Sequence, residues 1–517
     1  MNYNRLKRGV AVLAVGTLLT FSITGCTLFG STTGSNNQSS NSTTASKTVD
    51  INDLFSDRDL DASYDATSPK ITLSEGSITS DSENAKVSGN TVTITKAGTY
   101  IITGTSSDAQ IVVDCDSDKV QLVLDNANIT SSSATALYVK QADKVFITLA
   151  DGSTNNITIN SDSEKKDDST IDGAIFAKDD ITINGSGTLN VTSGKTNGIV
   201  GKDDLKIVSG TINVTSANHG IQGKDTISIK DPTITISAEK DGLNSNGTVS
   251  IVGGNVNIAK SNEGIEGQVI NIAGGETNVT STDDGLNAAS ADTDLSEDPM
   301  AVDENAIINI SGGKLTVDTD NNGDGLDSNG SINISGGETY ISGPTTDGNT
   351  AIDFGSECVV TGGTLVAAGS TGMVEAMSEN STQAVMTVNA SSDNGTITVT
   401  DKSGNKIVEY TPNKTYACMI ISSPELKVGE TYTVTCGSTS EDITLENTVT
   451  SNVTATMKMG GSGGQGGPMG GKMGDFQPPT DENGNKKAPP EGFQNNGDMP
   501  TPPNGGQMNG KMGKQQK

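Results

Sequence analysis

Tryptophan is absent from this 517-residue chain and aromatic residues make up only 3% of it, so flat platforms for stacking a ring are scarce. Positive charge is also in short supply: 33 basic residues face 63 acidic ones, a formal charge of −30. That balance excludes nucleic acid as a partner, because no cationic surface is left to displace counterions from phosphate. The five cysteines show no Cys-x-x-Cys spacing, which argues against a zinc or redox centre. Nucleophile elbows, P-loops and metalloprotease helices are missing as well. No stretch after the first 26 residues is long and apolar enough to span a bilayer.

What is present begins with a basic cluster, Arg5, Lys7 and Arg8, followed by an apolar run from Gly9 to Phe21. The run ends in Ile23-Thr24-Gly25-Cys26, which resembles a bacterial lipobox. The expectation is a signal peptide over residues 1–26, a lipidated Cys26, and a protein held at the outer face of a bacterial membrane by that lipid alone. Residues 27–48, almost all Ser, Thr, Asn and Gly, read as a flexible tether, and the Gly-, Met- and Pro-rich residues 459–517 as a disordered tail. Between them, residues 49–385 are assigned to a repeat domain and 386–458 to a smaller C-terminal β segment. Cys418 and Cys436 flank two β-like runs and are placed to face each other across a hairpin.

The repeats settle the fold class. Gly173, Gly198, Gly220, Gly242, Gly264, Gly285 and Gly325 each follow a polar residue and precede an apolar one, at intervals of 25, 22, 22, 22, 21 and 40. The long interval holds an acidic excursion near residues 288–305. Within a repeat, short strands of period two alternate with turns, and Gly-Gly pairs recur at 253, 274, 312, 336 and 362. Such a unit matches one coil of an all-β, right-handed parallel β-helix rather than a leucine-rich repeat, whose helix-forming half is lacking. About a dozen coils from residue 70 to 380 predict a rod on the order of 60 Å long.

Stacking puts equivalent residues in columns. One column is Asp172, Asn197, His219, Asp241, Glu263, Asp284 and Asp324; a second, three residues on, is Gln222, Asn244, Glu266, Asn287 and Asp327. Residues 241–327 carry 16 acidic side chains against 2 lysines. Carboxylates repeated every ~5 Å repel one another unless neutralised. Their oxygens form the hard donor set that Ca²⁺ prefers. The candidate ligands are Asp241, Asn244, Glu263, Glu266, Asp283, Asp284, Asn287, Asp324 and Asp327; the alternative is a solvated turn ladder. A basic ladder, Lys178, Lys202 and Lys224, would suit the carboxylates of an acidic polysaccharide or merely pair with neighbouring acids. His219 reads as a turn residue capping the acidic column rather than as a base. Asp59 and Asp61, upstream of the repeats, are expected to be indifferent to cation and ligand.

Lys178-Asp179-Asp180-Ile181, Gly198-Ile199-Val200-Gly201-Lys202-Asp203-Asp204-Leu205, Asp241-Gly242-Leu243 and Gly372-Met373-Val374-Glu375-Ala376, with Ile420-Ile421-Ser422-Ser423-Pro424 and Gly429-Glu430-Thr431-Tyr432, resemble the bacterial carbohydrate-binding domain-containing family of surface β-helix lipoproteins. The likeness runs from about residue 50 to 450. It implies a pectate-lyase-like β-helix, bound calcium at the Asp-Gly-Leu-Asn and Glu-Gly-Ile-Glu turns, and binding of cellulose or of acidic plant glycans such as polygalacturonate. The lack of tryptophan favours the acidic glycan. The expected function is therefore calcium-dependent, non-catalytic polysaccharide binding by a monomer. The rivals are a pectate-type lyase using Lys202 or Lys224 as base, and a structural rod or adhesin.

Overall fold

The structure is a computed structural model that describes residues 53–453 except 117, 134, 163, 167, 168, 291–300 and 394. The lipobox with Cys26, the tether, the tail and most of the acidic excursion lie outside the described residues.

The described chain is all-β apart from one four-residue helix, Asp57–Leu60. In mid-rod a coil runs through three strands, for example Asn197–Gly201, Asp204–Ile207 and Thr211–Ser216. The next coil stacks on it in parallel with a 22-residue register: Ile199 opposes Ile221, Leu205 opposes Ile227, and Ile212 opposes Ile234. The second and third strands of each coil belong to a 21-stranded sheet and the first to a 12-stranded sheet. Alternate residues point inward, so the apolar ones build a continuous core. Ile199, Leu205, Ile207 and Ile212 are each 0% exposed, and burying such a side chain contributes ~1.5–3 kcal/mol.

In four of the later coils the second and third strands merge into single bent strands, Thr248–Lys260, Val269–Ser281, Ser331–Ser342 and Glu357–Gly369, while Ile307–Ile310 and Lys314–Thr319 stay separate. The bends fall at the Gly-Gly pairs, whose second members, Gly254, Gly275, Gly313, Gly337 and Gly363, have φ between +74° and +83°. A Cβ on Gly275 would lie 2.4 Å from the Gly254 carbonyl oxygen, so neither conformation nor space admits a side chain. Gly275→Ala is expected to cost about 1–3 kcal/mol and lower the melting temperature by several degrees. Gly348→Ala, with nothing within 4 Å of the new atom, should leave it unchanged. Equal melting temperatures for the two variants would contradict this packing.

The solenoid has about ten turns, fewer than the expected dozen. The reason is that the last long strand, Glu357–Gly369, is closed by an antiparallel partner, Tyr416–Ser422, with Leu365 opposite Ser422. The C-terminal strand thus covers the open sheet edge. Beyond it, a four-stranded antiparallel sheet (Ile397–Thr400, Lys406–Tyr410, Thr431–Cys436, Thr439–Thr444) encloses its own core around Val399, Met419 and Tyr432. This placement corrects the cysteine hairpin. Cys418 lies on the strand opposite Asn389 in the large sheet, whereas Cys436 opposes Ile397 in the small one.

Two further corrections concern register and burial. Gly173 pairs with Asn197 rather than with Gly198, because the strand Gly173–Ala177 carries one extra residue before Ile175 meets Ile199. Asp59 is not an indifferent surface residue: it is 0% exposed.

Candidate cation-binding face

The first strand of each coil is the short one; its outward position carries the second column, and from His219 on the first column lies in the turn two residues ahead of it. Backbone hydrogen bonds hold the column in place: Gly220 N–H donates to Asp241 O, Gly242 to Glu263 O, Gly264 to Asp284 O and Gly285 to Asp324 O, at 2.9–3.0 Å. The second column follows Val200, Gln222, Asn244, Glu266, Asn287 and Asp327. It does not stop there. Asp327 opposes Asp353 in the next coil, and Glu375 lies close enough to feel the charge of Asp353. The signal for Asp353 is Ala351-Ile352-Asp353, which repeats the apolar-acid step without the leading Asp-Gly.

Side-chain oxygens from the columns converge in two triads. Asp241, Glu263 and Glu266 form one, and Asp284, Asp324 and Asp327 the other, with ligand oxygens of each triad within 4.8 Å of one another. Asn244 Nδ2 donates to Asp241 Oδ2 at 2.9 Å and also to Glu266. Asn287 stands between the triads, donating Nδ2 to Glu263 Oε2 at 3.1 Å, while its Oδ1 is buried and accepts no hydrogen bond. Asp283 lies outside both triads but adds its charge to Asp284, Asp324 and Asp327. Of the nine sequence-derived candidates, six are thus brought together as carboxylates, Asn244 and Asn287 border them, and Asp283 acts through its field.

The electrostatics of the face are those of an uncompensated acid cluster. Burial, then the charges of Glu266, Asp241 and Asp284, pushes Glu263 up to about 8. Burial and Asp241 raise Glu266 to about 7. In the second triad burial is again the leading cause, followed by neighbouring carboxylates: Asp284 rises to about 6, and Asp324 and Asp327 to about 8. Asp241 goes the other way: burial would raise it, but the contact with His219 and hydrogen bonds from its neighbours outweigh that effect. His219 Nδ1 is 2.8 Å from Asp241 Oδ2, without the alignment of a good hydrogen bond. The histidine therefore ends the acidic column at its N-terminal side.

These residues fit a hard divalent cation. Each triad offers up to six carboxylate oxygens, the orphaned amide oxygen of Asn287 supplies a neutral donor, and a cation would reverse the repulsion that raises the pKa values.

The lysine ladder is present at the turn after the same strands, with Lys178, Lys202 and Lys224 N–H groups bonded to Val139, Ala177 and Gly201. It lies in coils preceding the triads. Lys202 Nζ sits 5.5 Å from the Phe176 ring centroid, and Lys224 Nζ 3.7 Å from exposed Asp225. The lysine whose charge reaches a triad is Lys240, which acts on Glu266.

The profile of a family described as "Carbohydrate-binding domain-containing protein" matches residues 88–348, half of the chain. The chain belongs to that family. A carbohydrate-binding domain-containing protein of Acetivibrio thermocellus is 40% identical over 149 residues, 28% of this chain and 52% of the relative. The chain thus spans about half the length of the curated relative it matches. A solved gadolinium derivative of a polysaccharide lyase-like protein from C. thermocellum is 28% identical, covers 55% of this chain and 99% of its own, and superposes with a TM-score of 0.37. All four triad coils of this family member fall inside the matched residues.

Proposed function

We propose that this family member is a non-catalytic, calcium-dependent binder of acidic polysaccharide, held at the outer face of the cell by a lipid on Cys26. The observation that carries the reading is the pair of carboxylate triads on one open sheet face, with no lysine or arginine paired to them among the described residues. A cation held there by protein oxygens on one side keeps coordination positions open to uronate carboxylates on the other. A protein of charge −30 otherwise repels a polyanion. Among the described residues Tyr64 is the one large aromatic that stands exposed, which favours an acidic glycan over the flat faces of cellulose.

The direct test is retention on polygalacturonate in millimolar calcium and in chelator. Retention only with calcium supports the reading; equal retention in both sinks it. One observation favours the lyase alternative: Lys240 is positioned near a triad, as a base acting beside a metal would be. Unsaturated uronides absorbing in the ultraviolet would establish that chemistry, and Lys240→Gln should then abolish it. For the anchor, Cys26→Ser is expected to move the protein from the membrane fraction to the soluble fraction. If the variant sediments with membranes as fully as the unaltered protein, Cys26 is not the anchor.

A further inference from the structure

Residues 53–63 form a strap laid across the outer face of the 21-stranded sheet, away from the acidic columns. Between residues 53 and 69 the one buried residue is Asp59, a charged side chain. A four-residue helix has no stability of its own, so its docking depends on what Asp59 meets. Asp59 Oδ1 lies 2.7 Å from Lys144 Nζ and accepts from Thr182 Oγ1 at 2.6 Å, while Oδ2 lies 3.4 Å from Lys206 Nζ. Burial alone would raise this carboxyl; the hydrogen bonds from Lys144, Thr182 and Ser56 outweigh it and hold the group below its ordinary range.

The other hydrogen bonds of the contact have the same polarity, and Arg58 on the Phe146 ring is the one contact that reverses it. Asn184 Nδ2 donates to Asp59 O at 3.0 Å, and Gln121 Nε2 to Ser63 O at 3.2 Å. Arg58 lies 4.2 Å over the Phe146 ring centroid. Gln121, Phe146, Thr182 and Lys206 occupy one register column in successive coils. The sheet therefore presents two ammonium groups, a hydroxyl, amide donors and an aromatic ring at coil spacing. The strap answers with a carboxylate and main-chain carbonyls. Asp180, opposite Lys144 in register, and Asp204, next in the same column and donating its N–H to Asp180 Oδ1 at 3.2 Å, are the acids facing this group, so the strap carboxylate is the one that meets both ammonium groups directly.

We propose that the Lys144–Thr182–Lys206 pocket is a carboxylate-recognition subsite for a uronate, and that the strap, through Asp59, is its resident intramolecular occupant. The choice of an acidic polysaccharide as ligand rests on the function proposed above. The subsite itself uses lysines rather than a cation, so chelator separates the two.

The test uses the full chain in chelator, with polygalacturonate affinity electrophoresis as readout and a neutral glucan gel as control. Arg58→Ala with Asp59→Ala, which releases the strap, is expected to strengthen binding to polygalacturonate at least tenfold and leave the neutral gel unchanged. Adding Lys144→Gln and Lys206→Gln should cancel the gain. A folded strap-release variant with no gain, or a gain that survives the lysine substitutions, overturns the proposal. If the released variant fails to fold, the unaltered protein still decides the matter. Trigalacturonate in chelator should accelerate tryptic cleavage after Arg58 by displacing the strap, and an unchanged cleavage rate at millimolar ligand refutes displacement. Calcium-dependent retention can fail while this cation-free gain persists, and the reverse, so each reading falls on its own result.

Discussion

Adding chelator lowers the melting temperature and, over the same titration, releases the protein from polygalacturonate. Both effects come from the triads. A ligand bound only by the folded state stabilises it by about 2.7 kcal/mol at a hundredfold excess over its dissociation constant, and a second site adds to that. Removing the ion restores repulsion among Glu263, Glu266 and Asp241 and among Asp284, Asp324 and Asp327, groups packed within 4.8 Å. Glu263→Gln with Glu266→Gln should lose part of the calcium-induced stabilisation and most of the binding, because amides need no counter-ion and coordinate one poorly. The control is Glu83→Gln, an exposed position outside the columns. Asp59 would be a poor control, because it neutralises Lys144 and Lys206. A melting temperature identical in chelator and in millimolar calcium would reduce the columns to a solvated turn face.

The pH dependence of the cation-free protein is expected to run against the usual trend. Glu263, Asp324 and Asp327 are raised to about 8, Glu266 to about 7 and Asp284 to about 6. The folded state therefore holds protons that the unfolded chain has released. Groups of this kind contribute stability that is fully present below their unfolded values near pH 4 and is lost as pH rises through the folded values. In chelator, stability should fall progressively between about pH 4 and pH 8. The loss is shared among five groups and should appear as a steadily falling denaturant midpoint. Asp241, held low by its neighbours, works in the opposite sense only where it protonates, below pH 4. Calcium should flatten the curve, since the metal takes the place of the protons. Asp327→Asn removes one raised group and should stabilise the cation-free protein at pH 8 while weakening calcium binding. Denaturant midpoints in chelator from pH 5 to 8 check this; a midpoint that rises with pH would contradict the buried, uncompensated state of the triads.

A 22-residue period of short alternating strands leaves little choice of architecture, because the only way to bury Ile199, Ile221 and Leu243 together is to stack them in parallel. From that period alone the chain determined its all-β class, the coil, the bends at the Gly-Gly pairs and the two polar columns. Each rests on contacts one coil apart, which the sequence repeats and so makes legible. Tertiary structure decided what has no repeat to announce it. The offset that sets Gly173 against Asn197 comes from one extra residue, Ala174, between the glycine and Ile175, and the spacing of the glycines does not say which neighbours pair. The continuation of the acidic column through Asp353 is hidden because Asp-Gly is missing there. Convergence of six carboxylates into two triads depends on side-chain directions, which column membership leaves open. The strap is the extreme case: Asp59 meets Lys206 across 147 residues, and an unpatterned contact of that range becomes visible only when the coils have been stacked and the chain before them laid across their face.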